Sequence, residues 1–373
     1  MATNRAAWIR SRGSKLEVGE AKFSPPQNNQ ILIRNHAIAI NPLDWIIQIA
    51  GGFMYRWLAY PTVLGSDVAG EVIEVGSEVT NFSVGDRVIG HAVGSDKDSN
   101  NPSEGGFQNY TAVLAHMASR IPDFTPYESA VVIPLGLSTA SCALYQRDLL
   151  NLELPSSNPP SRDETILIWG GSSSVGSNAI QLAVASGYRV VTTASPKNFN
   201  YVTSIGASSV FDHRAPNVIG EIINALQGKD LAGAIAIGET GATSCVRIMA
   251  RCSGKRFVAI ATPPVSFTNL AASTKSPTNT AIFVTRLVGT NVKLWIDAKR
   301  KGVDFKYIFG SALKNNEVAD AIYGDFLPQA LCEGRYIPAP PARVVGEGLE
   351  KIQYAIDLAK DGVSAEKIVV KVV

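Results

Sequence analysis

Residues 165–198 read TILIWGGSSSVGSNAIQLAVASGYRVVTTASPKN, and the order of residue types in this stretch decides the fold. An apolar strand leads through glycines and serines into an amphipathic helix, and a second apolar strand follows. Small residues let the backbone turn tightly and approach a pyrophosphate, whose negative charge is stabilised at the N-terminus of the helix. We therefore expect the first strand, helix and strand of a doubly wound parallel sheet that binds a dinucleotide.

The glycine and serine turn matches the dinucleotide fingerprint G-x-G-x-x-G with one substitution, since Gly171, Ser173 and Gly176 stand at its three positions. Alone the match is weak, because any strand-to-helix turn can be rich in glycine. The strand before the turn and the strand after the helix strengthen the match. The residues expected to hold the pyrophosphate are Gly171, Ser172, Ser173, Ser174, Val175 and Gly176.

The end of the second strand indicates which dinucleotide binds. An NAD site places an acidic residue about 20 residues beyond the fingerprint, where it accepts hydrogen bonds from the ribose. No acidic residue occurs between Glu164 and Asp212, and the position falls to Ser195, with Lys197 and Asn198 close behind. A hydroxyl and an ammonium group suit a 2′-phosphate, so the sequence favours NADPH over NADH. In the alternative interpretation these residues form an ordinary loop end.

The rest of the chain shows two further patterns. Residues 30–125 read as short alternating strands with turn signals, which predict a small, largely antiparallel barrel. From about residue 140 strands alternate with helices, and the tail adds two helices and the strand EKIVVKVV. We expect the tail to pack on the barrel, so that residues 1–138 and 312–373 form one domain and residues 139–311 form an inserted Rossmann domain.

Two segments between these elements are also assigned from the sequence. Residues 262–281 are rich in proline, serine and threonine and read as an irregular insertion. Residues 316–331, NEVADAIYGDFLPQAL, read as one helix of the tail.

Composition is typical of an ordinary enzyme-sized globular protein. The chain has 373 residues, 46% hydrophobic and 18% charged, and a formal net charge of +2, so we expect no nucleic-acid surface. The four cysteines are scattered without a C-x-x-C pair, which argues against a disulfide framework or a zinc ribbon. We find no apolar leader and no apolar run of roughly 18 residues, so we expect a cytoplasmic protein that binds no membrane.

The chain resembles the medium-chain dehydrogenase/reductase superfamily over nearly its whole length. The resemblance rests on INPLDW, LGSDVAGEVIEVG, VGDRVIG, GGFQNYT and PLGLSTA, together with the fingerprint. Two fungal branches are most similar: the concanamycin-induced protein B-like oxidoreductases, through IFGSALKNNEVADAIYGDFLPQAL and VVGEGLEKIQ, and the polyketide trans-enoyl reductases, through ASPKNF and VFDHRAPN. The resemblance implies an α/β protein with a GroES-like, mainly antiparallel barrel domain and an inserted Rossmann domain with a doubly wound parallel sheet.

The resemblance also identifies the positions where zinc-dependent members bind their catalytic metal. Those positions correspond here to Asn41, Ser66 and Leu135, and none is a good zinc ligand. The lobe that carries a structural zinc is also altered, because residues 91–110 contain no cysteine. We therefore expect a zinc-independent protein with no metal site.

Without a metal, the resemblance implies hydride transfer from NADPH to an electron-poor carbon of an enone, enoyl thioester or quinone. Charge then develops on the carbonyl oxygen, so a hydrogen-bond donor and a proton source are needed. Two other functions stay open: reduction of quinones, aldehydes or ketones, and NADPH binding by an auxiliary, regulatory or non-redox protein. The resemblance further implies a small-molecule substrate of fungal secondary metabolism, a polyketide synthase or its product as partner, and a monomer or homodimer.

Three residues are the catalytic candidates. The Thr139 hydroxyl would bind the nicotinamide carboxamide or the substrate oxygen; alternatively, Thr139 caps a helix. Asn41 would shape the nicotinamide pocket, and His91 would line the cleft as a donor, although a histidine at a strand end is more often structural. Related enoyl reductases carry a lysine two residues after Asp44, where this chain has Ile46. Water, Thr139 or another donor must then supply the proton, or the reaction differs.

Other positions are expected to contact the cofactor or the substrate. His213 and Arg214 would lie near the adenosine and its 2′-phosphate, although an exposed turn explains both residues almost as well. Tyr55 and Trp57, with Phe53, follow INPLDW and would form an aromatic wall for the substrate or simply pack. The resemblance places these residues around the nicotinamide half: Leu43, Asp44, Ile46, Ile260, Ala261, Ala365 and Glu366.

Overall fold

A computed structural model describes residues 3–267 and 277–372. The chain divides into two compact units. The first unit comprises Met1–Leu135 and Ala319–Val373, and the second unit comprises Gly136–Val318.

The described strands are, in chain order, β1 Asn4–Ile9, β2 Leu16–Ala21, β3 Gln30–Ala39, β4 Thr62–Val63, β5 Asp67–Val75, β6 Arg87–His91, β7 Tyr110–Leu114, β8 Ala118–Arg120, β9 Thr165–Trp169, β10 Arg189–Ala194, β11 Ser209–Asp212, β12 Asp230–Ala236, β13 Ser253–Gly254, β14 Phe257–Ile260, β15 Asp304–Tyr307, β16 Ala342–Glu347 and β17 Lys367–Lys371. The described α-helices are α1 Pro42–Met54, α2 Tyr127–Ala130, α3 Pro134–Tyr145, α4 Ser174–Ala185, α5 Phe199–Ser204, α6 Val218–Ala225, α7 Gly241–Met249, α8 Pro277–Lys301, α9 Leu327–Cys332 and α10 Ile352–Asp361.

The first unit contains two sheets that are antiparallel apart from one strand pair. One sheet has the order β2-β1-β4, and the other has the order β16-β17-β3-β5-β6-β8, with β7 also paired to β3. The tail strand β17 lies between β3, to which it is antiparallel, and β16, to which it is parallel. Apolar residues in β3, β5 and β6 supply a buried core, and runs of consecutive residues in these strands are buried.

The second unit contains the parallel sheet that the sequence predicts. Its strand order is β11-β10-β9-β12-β14-β15, and the short strand β13 pairs with β12. Strand β9 is buried throughout because its apolar residues are covered on both faces. The strand order reverses direction at β9: the chain runs from β9 through β10 to β11 on one side, and then crosses back to β12 on the other side. Ligands of open parallel sheets bind at such a switch point.

Two sequence expectations about helices are wrong in part. Residues 277–281, assigned to an irregular insertion, form the first turns of α8, while residues 268–276 of that insertion lie outside the described residues. The periodic burial of Phe283, Leu294 and Ala298 explains why this polar start continues as a helix. The tail segment is also not one regular helix, because Asp320–Phe326 is a π-helix that precedes α9. Pro328 at the start of α9 lacks an N–H and its ring crowds the carbonyl four residues earlier, which widens the preceding turn.

One stretch of the described chain, Tyr127–Tyr145, is long and apolar enough to cross a membrane by length and composition. The sequence analysis did not single out this stretch, because Glu128 and several serine, threonine and glycine residues interrupt its apolar residues. However, 78% of its most apolar window is buried inside the protein. The core helix of a soluble protein passes the same test, so the stretch is weak evidence for a membrane span.

Candidate functional site

The first unit places Asn41 and Asp44 together at the beginning of α1. Asp44 is buried, and its carboxylate accepts a hydrogen bond from the backbone N–H of Asn41 at 2.7 Å. Pro42 at the first helical position needs no N–H partner, which suits the start of a helix. This local geometry leaves the Asn41 side chain available to reach β5.

The centre of this region is the buried carboxylate of Asp67, at the start of β5. It accepts hydrogen bonds from the Asn41 amide at 2.9 Å, from the backbone N–H of Leu135 at 2.6 Å, and from the ammonium group of Lys367. Lys367 also donates to the carbonyl of Val132 at 3.1 Å. We call Asn41, Asp44, Asp67 and Lys367 the buried cluster. It joins segments that lie far apart in the sequence.

Ser66, His91 and Leu135 surround the buried cluster. His91 stands directly opposite Asp67 in the antiparallel pairing of β5 and β6, so both side chains lie on the same face. Ser66 and His91 are buried, and the Ser66 carbonyl accepts a hydrogen bond from Ala92. Leu135 contributes its backbone rather than its side chain. The positions that the resemblance assigns to a metal are Asn41, Ser66 and Leu135. All three are thus adjacent to Asp67, but they hold an amide, a hydroxyl and an alkyl group.

The chemistry of the buried cluster does not fit zinc. Zinc requires thiolate, imidazole or carboxylate donors, and here the Asp67 carboxylate, which accepts the hydrogen bond from the Asn41 amide, is already paired with the ammonium group of Lys367. Within residues 3–267 and 277–372, no group of three His, Cys, Asp or Glu side chains could hold a metal ion. The Lys367 charge would also repel a second cation at the same carboxylate.

Burial changes the acidity of Asp44. Desolvation raises the pKa of Asp44 to about 7, and the nearby negative charge of Asp67 adds to this effect. Hydrogen bonds from the Asn41 and Gly65 backbones and the positive charge of Lys367 oppose it. The buried cluster therefore contains a carboxyl group that can exchange a proton near neutral pH.

The second unit contains the glycine and serine turn between β9 and α4. Ser173 is the N-cap of α4: its hydroxyl accepts a hydrogen bond from the Gly176 N–H at 3.0 Å and donates to the Gly170 carbonyl at 2.8 Å. These bonds give a physical reason for serine at the middle position of the fingerprint. A Cβ added at Gly171 would lie 2.2 Å from the Thr192 hydroxyl oxygen, and one added at Gly176 would lie 2.3 Å from the Gly170 carbonyl oxygen. Both glycines are therefore required by close packing.

The residues predicted to hold the pyrophosphate thus form one tight turn at the N-terminus of a buried helix. Ser172, Ser174 and Val175 are partly exposed, whereas Gly171 and Gly176 are buried in the turn. The helix dipole places partial positive charge at this end of α4. The turn can therefore receive an anionic group, and its residues fit a pyrophosphate.

The loops after β10 and β11 lie side by side. The pairing of these parallel strands places Ala194 opposite Asp212, so Ser195 and His213 follow at the same edge of the sheet. Lys197 is exposed and Asn198 is buried at the start of the following helical turn. The sequence argument missed one feature: Asp212 brings a carboxylate to this edge, 3.9 Å from the His213 ring, and it accepts a hydrogen bond from the Arg214 N–H.

Thr139 lies on α3 and faces the segment that follows β15. An added Cβ on Gly310 would lie 2.6 Å from the Thr139 hydroxyl, so the two residues are in close contact. One turn further along α3, the Cys142 thiol contacts the carbonyl of Phe309 at 3.5 Å. These contacts fix the position of Thr139 within the second unit.

The remaining candidates are divided between the two units. Leu43 and Ile46 are partly buried on α1, and Ala365 and Glu366 form the turn before β17 in the first unit. Ala365 has a left-handed φ of 54°, which is unusual for a residue with a side chain. In the second unit, Ile260 ends β14, and the Ala261 N–H donates to the Ala236 carbonyl at 2.9 Å. Tyr55 and Trp57 lie after α1, and the Phe53 side chain lies outside the part of the chain that the structure describes.

Sequence reasoning missed Asp67 and Lys367, although both were visible in the quoted strings. An aspartate at the start of the apolar strand DVAGEVIEV and a lysine in KIVVK are the signals. Charged residues in buried strands are rarely unpaired, so their coexistence indicates an ion pair.

Known proteins resemble this chain in both sequence and fold. Residues 27–123 match the family model described as the alcohol dehydrogenase GroES-like domain. Dehydrogenase pigH of Monascus ruber is 48% identical over 373 residues, covering 99% of this chain and 100% of pigH. Trans-enoyl reductase himH of Aspergillus japonicus is 40% identical over 372 residues, covering 99% of this chain and 97% of himH.

A solved structure supports the fold independently. The crystal structure of an alcohol dehydrogenase superfamily protein from Novosphingobium aromaticivorans superimposes with a TM-score of 0.73 and covers 100% of both chains. Its sequence identity is 24%, so this likeness concerns the fold alone.

Proposed function

Since the chain belongs to the medium-chain dehydrogenase/reductase superfamily and to its fungal secondary-metabolism group of dehydrogenases and trans-enoyl reductases, we propose that it is a zinc-independent, NADPH-dependent reductase of activated carbon–carbon double bonds. The chain is an oxidoreductase of this superfamily, whose members use NAD(P)H. The substrate class we propose is an enone, an enoyl thioester or a quinone-like compound.

The chemistry of the buried cluster is the observation that carries this proposal. A carbonyl reductase of the zinc type relies on the metal to polarise the substrate oxygen. In this chain an internal lysine and aspartate pair occupies the region, and the donor set does not fit zinc. A substrate that is already electron-poor at the reacting carbon needs less polarisation, and a conjugated double bond has this property.

The second unit supplies residues suited to hold NADPH, which provides the hydride when bound. The turn from Gly171 to Gly176 would bind the pyrophosphate through its backbone and the helix dipole. Ser195, Lys197 and Asn198 would bind the 2′-phosphate, and His213 would lie beside the adenosine. Lys197 can meet the phosphate because its side chain is exposed.

The proposed roles of the reacting groups follow from their chemistry. The Thr139 hydroxyl would donate a hydrogen bond to the nicotinamide carboxamide or to the substrate oxygen as charge develops there. Asn41 and Asp44 would shape the first unit's part of the site, and His91 would act as a further donor. Ile46 cannot donate a proton, so a water molecule or Thr139 would protonate the α-carbon. Leu43, Ile260, Ala261, Ala365 and Glu366 complete the proposed contacts.

The proposal extends to the domains, the cellular location and the substrate source of the enzyme. We propose that residues 1–138 and 312–373 form the catalytic domain and residues 139–311 the cofactor domain of a cytosolic enzyme. Its substrate would be the product of a polyketide synthase, or an intermediate still attached to one. The enzyme would act as a monomer or a homodimer.

Ile46 supports a second candidate from another class. If the apolar side chain marks lost chemistry, the protein would bind NADPH as an auxiliary, regulatory or non-redox partner. This candidate requires NADPH binding without oxidation of the cofactor by any substrate. Substrate-dependent oxidation of NADPH would distinguish the reductase from this candidate.

The test measures oxidation of NADPH and NADH by protein treated with a chelator, with a panel of enones, enoyl thioesters, quinones and aldehydes. The proposal expects turnover that survives chelation, prefers NADPH and favours conjugated double bonds. Lys197→Ala should raise the KM for NADPH about tenfold and leave that for NADH unchanged. Lys229→Ala, at the amino end of the central strand β12 of the same sheet, is the control. Turnover lost on chelation, or NADPH binding with no turnover, would contradict the reductase.

A further inference from the structure

The loop of residues 55–60, which follows α1, is hydrogen-bonded to residues 95–100. The side-chain amide of Asn100 makes two of these bonds: it donates to the Trp57 carbonyl at 2.9 Å and accepts from the Ala59 N–H at 3.1 Å. The Trp57 indole N–H donates to the Ser95 carbonyl at 3.2 Å. The Trp57 carbonyl, the Trp57 indole and the Ala59 N–H are therefore all hydrogen-bonded to the segment of residues 95–100.

Asn100 is suited to this position in two independent ways. Its φ is 43°, in the left-handed region that asparagine adopts more readily than most residues. Its amide carries both a donor and an acceptor, as needed to bridge a carbonyl and an N–H. Aspartate lacks the donor and alanine lacks both groups. The residue type is thus matched to the backbone conformation and to the bridge.

The loop held by Asn100 carries two aromatic side chains. The Tyr55 and Trp57 rings are 5.0 Å apart between centroids, with an interplanar angle of 52°. Trp57 is 38% exposed, so part of its ring remains available for contact. Burial raises the pKa of Tyr55 to about 12, with smaller contributions from the charges of Asp96 and Asp44. Tyr55 is therefore neutral, and it ends α1, the helix that carries Asp44 of the buried cluster in its first turn.

We propose that Asn100 is a positioning residue that determines substrate preference by holding the Tyr55 and Trp57 rings as an apolar wall for the acyl chain of the substrate. This inference rests on the proposed reduction of enoyl compounds. Aromatic rings offer a large apolar area at low conformational cost, which suits contact with an alkyl or polyene chain. A longer chain covers more of the wall, so the contribution of Asn100 grows with chain length.

The decisive experiment compares Asn100→Ala with Asn151→Ala. Asn151 has a nearly identical left-handed φ of 47° but lies between α3 and β9 in the second unit. Both substitutions place alanine in the same strained conformation, so the control matches the backbone cost. KM and kcat are measured with enoyl thioesters of four and ten carbons.

The inference expects a chain-length effect confined to Asn100→Ala. Loss of the bridge should raise the KM for the ten-carbon substrate roughly three- to tenfold, with kcat and the four-carbon KM unchanged. Asn151→Ala should change neither KM. Equal effects of the two variants, or equal effects on both chain lengths, would show that Asn100 has only a structural role.

A second variant tests whether Asn100 acts through the aromatic wall. Trp57→Ala should produce the same preference for short chains, and the double variant with Asn100→Ala should be no worse than Trp57→Ala alone. Additive effects of the two substitutions would contradict the inference, because the residues would then act independently.

Binding without turnover separates this inference from the proposed function. The affinity of the unsubstituted protein, Asn100→Ala and Asn151→Ala is measured for saturated acyl thioesters of the same two lengths. Tighter binding of the long thioester that only Asn100→Ala loses would support the wall even if no enoyl compound is reduced. Turnover with no chain-length preference in any of the three proteins would overturn the wall and leave the reductase intact.

Discussion

The buried cluster of the first unit and the glycine and serine turn of the second unit handle charge in opposite ways. In the first unit, side chains from distant segments surround one carboxylate and one ammonium group, and these groups satisfy each other. In the second unit, the turn is built from backbone groups and small residues, and its charge is the partial charge of a helix end. The first arrangement is closed and costs desolvation, whereas the second is open to an anion from outside. We therefore expect substitutions in the first to affect stability and substitutions in the second to affect binding.

The largest expected effect comes from breaking the ion pair of the buried cluster. Lys367→Met leaves the Asp67 carboxylate buried without its cation, which should lower the free energy of unfolding by about 3–5 kcal/mol. Lys371→Met is the control, because this lysine of the same strand makes a partly exposed pair with Glu128 at 3.3 Å. The control should cost less than about 1 kcal/mol.

Thermal or urea unfolding of both variants measures this difference. Asp67→Asn combined with Lys367→Met removes both charges and should recover part of the loss. If Lys367→Met is no less stable than Lys371→Met, the ion pair of the buried cluster does not stabilise the first unit, and its contrast with the turn of the second unit fails.

A smaller but more specific effect is expected in the turn. The added methyl group of Gly176→Ala would meet the Gly170 carbonyl at 2.3 Å, so the turn must open and lose its fit to a pyrophosphate. We expect at least about a tenfold loss of NADPH affinity by fluorescence titration. Gly289→Ala in α8 adds a methyl group with no atom within 4 Å and should leave NADPH affinity unchanged. Equal affinities for the two variants would place the cofactor elsewhere.

A third effect, spread over several pH units, is the pH dependence conferred by Asp44. Its pKa is raised from 3.8 to about 7, so the folded protein holds this proton more tightly than the unfolded chain does. Stability contributed by Asp44 is therefore present at low pH and is lost as the pH rises toward 7. Asp44→Asn should remove this decline while keeping a hydrogen-bond acceptor for Asn41.

Melting temperatures of the parent protein and Asp44→Asn between pH 4 and pH 8 provide the measurement. The difference between them should favour the parent at low pH and shrink or reverse above pH 7. Parallel curves across the range would show that Asp44 keeps an ordinary pKa.

Much of the fold could be predicted from the sequence, because its signals are local. The buried strand β9, the small residues of the turn and the amphipathic α4 follow one another within a single stretch. The start of α8 could not be predicted in the same way, since its polar residues resemble a loop and the helix depends on packing of Phe283 and later residues. The π-helix before α9 also reflects a nonlocal compromise around Pro328.

The candidate site was less predictable than the fold. The turn follows from a motif, and its residues were named from the sequence. The pairing of Asp67 with Lys367 depends on β3 bringing β5 and β17 to the same sheet, one on each side. Neither residue has a local signal stronger than a charge in an apolar strand. The position of Asp212 beside Ala194 likewise depends on strand register, which the sequence does not specify.

The position of β17 has a consequence for the order in which the protein forms during synthesis. Asp67 and Lys367 are separated by 300 residues, and β17 occupies an interior place in the sheet of the first unit. The second unit is continuous in sequence and can fold as soon as it leaves the ribosome. The sheet of the first unit stays open, and Asp67 lacks its cation, until β17 emerges. The segment Met1–Leu135 is therefore among the last parts to become native, and it is the part most exposed to aggregation and chaperone binding during translation.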